Sequence, residues 1–302
     1  METASGESRT SDLTAADGQS HPRRPRVDRW WLIGLPVLVF LAVFFVYPTA
    51  IILLRTFTKY DPPQVGGLDN LIWFFSRDAN VTILLRTFMV AGLSTILTSA
   101  LAFPYAYTMT RVQPSVRTLM FGIVLVSMFF GILLRNFAWV VMLQLQGPLN
   151  DVIEMLGFER QRFLGTMPAV LMGMTHVLFP FMVLPLYAVL QGIDTRLVLA
   201  AESLGASPRR AFWDVYIPLS LPGFFAGALL VFVLALGFFI TPAVLGSPQQ
   251  SLLSQLMYAQ FYRQAAFGRA GAMAVVLMIA TIVVLAIASM LARRNRAYEA
   301  PQ

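Results

Sequence analysis

The sequence predicts an all-α, polytopic membrane protein with six transmembrane helices. Three observations carry that reading. The chain is 57% hydrophobic and only 12% charged over 302 residues, more apolar surface than one soluble core can hide. Its apolar residues gather into long runs separated by short polar stretches. Finally, the net charge of +7 comes from arginines lying mostly at the ends of those runs. That placement marks membrane topology rather than a nucleic-acid footprint, so no nucleic-acid partner is expected. Cysteine is absent, which excludes disulfides, thiolate nucleophiles and cysteine-ligated metals.

Residues 1–27 are rich in Ser, Thr, Gly and Arg and read as a disordered cytoplasmic tail. The first apolar run starts at Trp30, too late and too long for a cleavable signal peptide. Trp30 to Leu54 gives about 25 residues, enough for a tilted span. Arg23, Arg24, Arg26 and Arg29 before it place the N-terminus in the cytoplasm. An outer loop follows to residue 82, with a Leu71–Phe75 segment along the surface, and the segment 28–82 stands apart from a core at 83–291.

The second span runs from Ile83 to Tyr107, with Pro104 kinking its inner end, and Arg111 and Arg117 flank the next inner loop. The third apolar run contains Arg135 and has two readings. A span from Thr118 to Leu134, about 26 Å long, puts Arg135 at the outer rim. A span starting near Val124 puts it at mid-depth, where a lone charge costs at least about 2.5 kcal/mol. The rim reading is favoured, with Asn136 to Gln144 continuing as helix near the outer mouth. Leu149, Val152, Ile153 and Leu156 form one stripe of an interfacial helix ended by Gly157. The fourth span is Pro168 to Leu190, the fifth Pro222 to Leu245. An outer loop-helix from Ser251 to Tyr262 leads to the sixth, Gly271 to Leu291. Arg293, Arg294 and Arg296 then open a cytoplasmic tail at 292–302, so both termini lie inside.

Between the fourth and fifth spans lies a polar interruption, 191–222, too regular for a slack loop. Asp194 or Thr195 caps a helix over Arg196–Leu204, and Gly205 supplies the left-handed turn that ends it. Ser207 caps a second helix with Pro208 at its first position, where the missing N–H costs nothing. Ala211, Phe212, Val215 and Tyr216 form its stripe, and Pro218 stops it.

The chemistry is defined largely by what is missing. Lys59 is the only lysine, so no Gly-x-x-x-x-Gly-Lys phosphate loop exists. His21 and His176 have no zinc-ligand spacing, so neither metal nor cofactor is expected on this chain. No acid lies inside the six spans, which leaves proton relays nothing to work with. The composition therefore points to a transport protein powered by another subunit, and not to an enzyme.

The central stretch resembles the coupling loop of permease subunits of binding-protein-dependent ABC importers. The matching residues are Ala200, Ala201, Leu204, Gly205 and Ala206, continuing through Phe212, Val215, Ile217-Pro218-Leu219 and Pro222-Gly223. Leu199 stands where the family carries a Glu, and Glu202 follows the alanines instead. Arg135-Asn136-Phe137-Ala138-Trp139, Gly147-Pro148-Leu149-Asn150, the 181–187 run FMVLPLY and the 241–246 run TPAVLG resemble the spermidine/putrescine branch. The likeness covers Ile83 to Leu291.

This resemblance implies a type I ABC importer permease architecture in a bacterial inner membrane. The inner helix pair would seat in a groove on a cytoplasmic ATPase dimer that binds ATP and Mg²⁺. A homologous second permease would complete the pathway, and an extracytoplasmic solute-binding protein would dock outside. Ala200, Ala201 and Ala206 would allow close approach, Gly205 would set the angle and Glu202 would make a polar contact across or within the joint. Arg135, Trp139 and His176 are candidates for the substrate path. The plainer readings are interface anchors for Arg135 and Trp139, and a packed, hydrogen-bonded helix residue for His176. A polyamine is the first expectation for cargo. An amino-acid-derived or anionic solute such as an opine is the second, because Arg135 suits a carboxylate. An ion-gradient-driven secondary transporter predicts inverted repeats and intramembrane acids, and neither is evident.

Overall fold

A computed structural model describes residues 31–58 and 66–297, with side chains described over 34–58 and 66–287. The expected tail at 1–27, with its arginines, lies outside the described residues, as do the side chains of Arg293, Arg294 and Arg296. Two compact units divide at residue 49. The first contains α1 (Trp31–Leu41), a π-turn at Ala42–Val46 and the start of α2 (Tyr47–Arg55). Phe40, Phe44 and Phe45 of this helix are exposed. An unbroken run of bare apolar side chains of this length is stable only against lipid or protein.

The second unit begins with the end of α2 and is built on three helices. These are α4 (Asp78–Arg111), α8 (Met167–Leu190) and α11 (Ile217–Leu236). Val90, Met174, Leu178, Met182, Leu186 and Val231 form their shared buried centre. Gly223 and Gly227 lie one turn apart on α11 and face α8. A Cβ at Gly223 would sit 2.6 Å from the Val189 Cβ, and one at Gly227 2.7 Å from the Met182 Sδ. Small residues at i and i+4 are what lets two helices approach this closely where no hydrophobic effect drives them together.

Helix boundaries follow the sequence closely in places and depart from it in others. The second span extends from Asp78 to Arg111, with Pro104 inside one continuous helix. The fourth begins at Met167, and Pro180 and Pro185 do not interrupt it. The last helix, α14 (Phe267–Ala297), runs beyond the expected end at Leu291.

Three expectations are corrected. First, the third apolar run does not form one helix to Leu134. α5 (Pro114–Phe129) stops at Phe130-Gly131, and α6 (Ile132–Leu143) departs at 99°. Arg135 therefore sits just after a sharp turn. Second, Pro218 does not stop the inner helix. α10 (Pro208–Ala211) passes through a π-turn at Phe212–Tyr216 straight into α11. Ile217 N donates to Phe212 O, one residue wider than an α-turn, and this slack accommodates the proline that lacks an N–H. The same device precedes Pro48, where Tyr47 N donates to Ala42 O. The fifth span consequently ends at Gly237, and TPAVLG forms a separate short helix, α12 (Ile240–Leu245). Third, the 71–75 segment lies along the surface on one face only: in α3 (Asp69–Phe75) Ile72 and Phe75 are exposed, while Phe74 is fully buried against Leu253, Met273 and Val276.

Polar side chains tie the connections down. Asn70 Nδ2 donates to Thr56 O at 2.8 Å. Thr87 Oγ1 accepts from Leu253 N at 2.9 Å, capping α13 (Leu253–Tyr258) from α4. α7 (Pro148–Met155) carries the fully buried Asn150. Asn150 Nδ2 donates to Gln144 O and Gln161 O, both at 3.0 Å, and its Oδ1 accepts from Gln161 N at 2.8 Å. Asn150→Ala strands three backbone groups, at about 1–3 kcal/mol for each that water does not reach. The melting temperature of the solubilised protein should fall by several degrees. An unchanged melting temperature would show that the loop is held by other contacts.

Candidate functional site: an inner helix joint and a paired Trp–His cavity

The inner helix pair forms as local chemistry dictates. Asp194 caps α9 (Thr195–Ser203), its Oδ1 accepting from Arg196 N at 2.9 Å. At the far end, Ala206 N donates to Ala201 O at 3.0 Å and Gly205 N donates to Glu202 O at 2.9 Å. This paired closure requires a left-handed residue, and Gly205 has φ +95°. Ser207 then caps α10, with Pro208 at its first turn. Arg210 and Asp214 pair at 3.1 Å on the exposed face of the same helix. Asp214 thus lies on the helix that continues into the fifth span, which the sequence reading had begun only at Pro222.

The residues read from sequence as the joint occupy one continuous turn. Ala200, Leu204 and Gly205 are exposed, while Ala201, Glu202, Ala206 and Phe212 are half-buried. Leu204 is 90% exposed at the tip, and Leu197, Leu199 and Trp213 are open beside it. The Glu202 side chain makes no hydrogen bond or ion pair among the described residues, so it does not bind within the joint. An exposed apolar knuckle around a fixed turn has the character of a docking surface.

Tyr216, expected on the stripe of the second helix, belongs to this site, as do Tyr107 and Arg111, which the sequence does not connect to it. Phe212 stacks on Tyr216, with ring centroids 5.5 Å apart and planes at 13°. Tyr107, near the end of α4, meets both rings edge-on at 5.5 and 5.2 Å. The Arg111 guanidinium lies 5.2 Å from the Tyr107 ring and 5.8 Å from that of Tyr216. The i, i+4 spacing of Tyr107 and Arg111 was the available signal, but nothing local connects them to residue 212. This cluster joins the inner helix to the end of α4. Tyr107→Ala removes two edge contacts, each worth about 0.5–1.5 kcal/mol beyond its buried area. We expect the melting temperature of the solubilised protein to fall by several degrees. An unchanged melting temperature would show that α4 and the inner helix are held together by other contacts.

The other candidates meet on α6 and α8. Trp139 Nε1–H donates to His176 Nδ1 at 3.0 Å, the rings tilted at 68°. The bond fixes the tautomer: Nδ1 accepts, so a neutral His176 carries its proton on Nε2. This satisfies the plainer reading of His176 as a hydrogen-bonded helix residue, and gives Trp139 the same standing. Both also line a cavity of about 540 Å³ walled by Leu97, Leu101, Leu171 and Phe179. Arg135 does not reach that cavity. It shares a second one, about 760 Å³, with His176 and the α5 face. Among the described residues no group of His, Cys, Asp and Glu is placed to hold a metal.

Beyond the end of α7, Arg160 holds Asp151 at 3.0 Å and Glu154 at 2.7 Å. The Glu154 hydrogen bond, opposed by desolvation and aided by both carboxylate charges, raises the Arg160 pKa above its ordinary value.

Among the described residues five helices are long and apolar enough to cross a membrane, or six if the bent α5–α6 pair counts as one span. With a capped, apolar helix pair between two of them, the architecture is that of a multi-pass membrane subunit built to dock another protein. The family model described as "Binding-protein-dependent transport system inner membrane component" matches residues 29–297, and the chain belongs to that family. It is 28% identical over 254 residues to the spermidine/putrescine transport system permease protein PotB of Haemophilus influenzae, covering 82% of this chain and 89% of that one. It is 32% identical over 259 residues to the inner membrane ABC transporter permease protein YdcU of Escherichia coli, covering 81% and 80%. Among solved structures, a bacterial ABC transporter importing the acidic polysaccharide alginate superposes with a TM-score of 0.75 at 18% identity. That match covers 88% of this chain and 96% of the other. At that identity the likeness shows the fold alone.

Proposed function

We propose that this chain is one of two permease subunits of an ABC importer for a polyamine, with both termini cytoplasmic. The observation that carries the coupling is the exposed turn at Leu204-Gly205, fixed by two caps and tied to α4 through Tyr107. In this reading α9 and α10 seat in a cytoplasmic ATPase subunit, which binds the ATP and Mg²⁺. Closure of two such subunits pulls the helix pair, and the aromatic cluster passes the movement to the spans. An extracytoplasmic solute-binding protein docks on the outer loops, and a homologous permease lines the other half of the pathway. The PotB relatives support a polyamine as cargo. So do the Trp139 and Phe179 rings of the 540 Å³ cavity, since ammonium groups are held well over aromatic faces.

The test is uptake of labelled putrescine into vesicles containing the complete complex and its binding protein. The account expects ATP-dependent, saturable uptake competed by spermidine and untouched by octopine. Competition by octopine alone would replace the polyamine with a carboxylate-bearing solute.

A further inference from the structure

The 760 Å³ cavity between α5, α6 and α8 carries a guanidinium, an imidazole and three hydroxyls, and no carboxylate. Arg135 Nε and Nη1 are both buried and have no hydrogen-bond partner among the described residues. His176, on the same cavity, has spent its acceptor Nδ1 on Trp139, leaving Nε2–H as a donor. The remaining polar groups there are hydroxyls of Ser115, Thr118 and Ser127, and Thr118 already donates to Pro114 O at 2.9 Å. Guanidinium N–H groups buried without an acceptor are costly in a membrane helix. The planar fork of a guanidinium matches a carboxylate.

We propose that Arg135 and His176 form a carboxylate-binding site in this cavity. The proposal rests on the polyamine reading for the source of that carboxylate. A cationic cargo passing a bare guanidinium is repelled, so the site must be neutralised before transport, and an acidic side chain of the second permease subunit does this by binding across the interface. Were the cargo itself to carry a carboxylate, the same donors would hold it.

The experiment uses the complete complex in vesicles and compares wild type with Arg135→Gln and Arg135→Glu. Arg135→Gln should leave expression and melting unchanged and lower putrescine uptake about tenfold or more, as removal of one member of a desolvated charge pair does. Each Asp and Glu in the companion's spans is then replaced by Arg against Arg135→Glu. Restored uptake in one such pair places the carboxylate on the companion. If no pair restores uptake but Arg135→Gln abolishes competition by N-carboxymethyl putrescine, the carboxylate belongs to the cargo. Wild-type uptake by Arg135→Gln overturns the proposal, and so does a loss accompanied by neither rescue nor altered competition. The polyamine reading is judged separately, by spermidine competition in the wild type, so the two can fail independently.

Discussion

Replacing Gly205 by valine is expected to uncouple the complex without dismantling it. Nothing lies within 4 Å of a Cβ built at Gly205, so the substitution causes no clash. Its cost is backbone strain alone. A β-branched residue at φ +95° is forced out of its allowed regions, at about 1–3 kcal/mol. The strain is relieved by opening the turn, which breaks the Ala206-to-Ala201 and Gly205-to-Glu202 bonds and reorients Leu204. The spans are untouched, so assembly with the companion permease should be normal. ATP hydrolysis stimulated by the loaded binding protein should fall to its basal level. Wild-type stimulation would mean that the turn is an ordinary helix cap with no part in coupling.

The second large effect is expected at Gly227→Leu. Here the penalty is steric. A Cβ meets the Met182 Sδ at 2.7 Å and the Met182 backbone oxygen at 3.1 Å. The sulfur is fully buried and the carbonyl is part of α8, so neither can step aside cheaply. Overpacking of this kind costs about 3 kcal/mol or more, and a leucine adds three further carbons to it. The solubilised protein should lose yield and melt many degrees lower, because α8 against α11 is the centre of the second unit. Gly227→Ala should fall between the two. Normal yield and melting of Gly227→Leu would show that α11 can slide along α8, and that the close contact does not hold the core together. The contrast between the positions is informative: one glycine serves a turn that moves, the other a contact that does not.

Much of this molecule was legible from sequence where the determinants are local. Asp194, Gly205, Ser207 and Pro208 each act within four residues, and the helix pair they imply is the pair observed. Long apolar runs likewise announced most of the spans, since length and composition decide whether a helix suits a bilayer. The failures share a physical cause. Hydropathy reports what a segment contacts, not which way it runs, so the 99° turn at Phe130-Gly131 was hidden inside a continuous apolar stretch. Gly131 was the one local clue. Pro218 was read as a stop because proline removes an N–H, yet the widened turn before it absorbs that loss. The pairing of Trp139 with His176 spans 37 positions, and that of Tyr107 with Phe212 more than a hundred. Such contacts are created by helix packing, so only the fold reveals them.

The central claim is that the α9–α10 turn seats directly on a cytoplasmic ATPase. The chain contains no cysteine, so one introduced at Leu204 is unique. Leu204 is 90% exposed and its side chain supports nothing in the core. The decisive measurement is cross-linking of Leu204→Cys in the purified, functional complex with a short bifunctional reagent. The account predicts a single product joining this chain to the ATPase subunit, with nucleotide changing its yield. A complex that is active but gives no such product, or one joining Leu204→Cys to the binding protein, would contradict it.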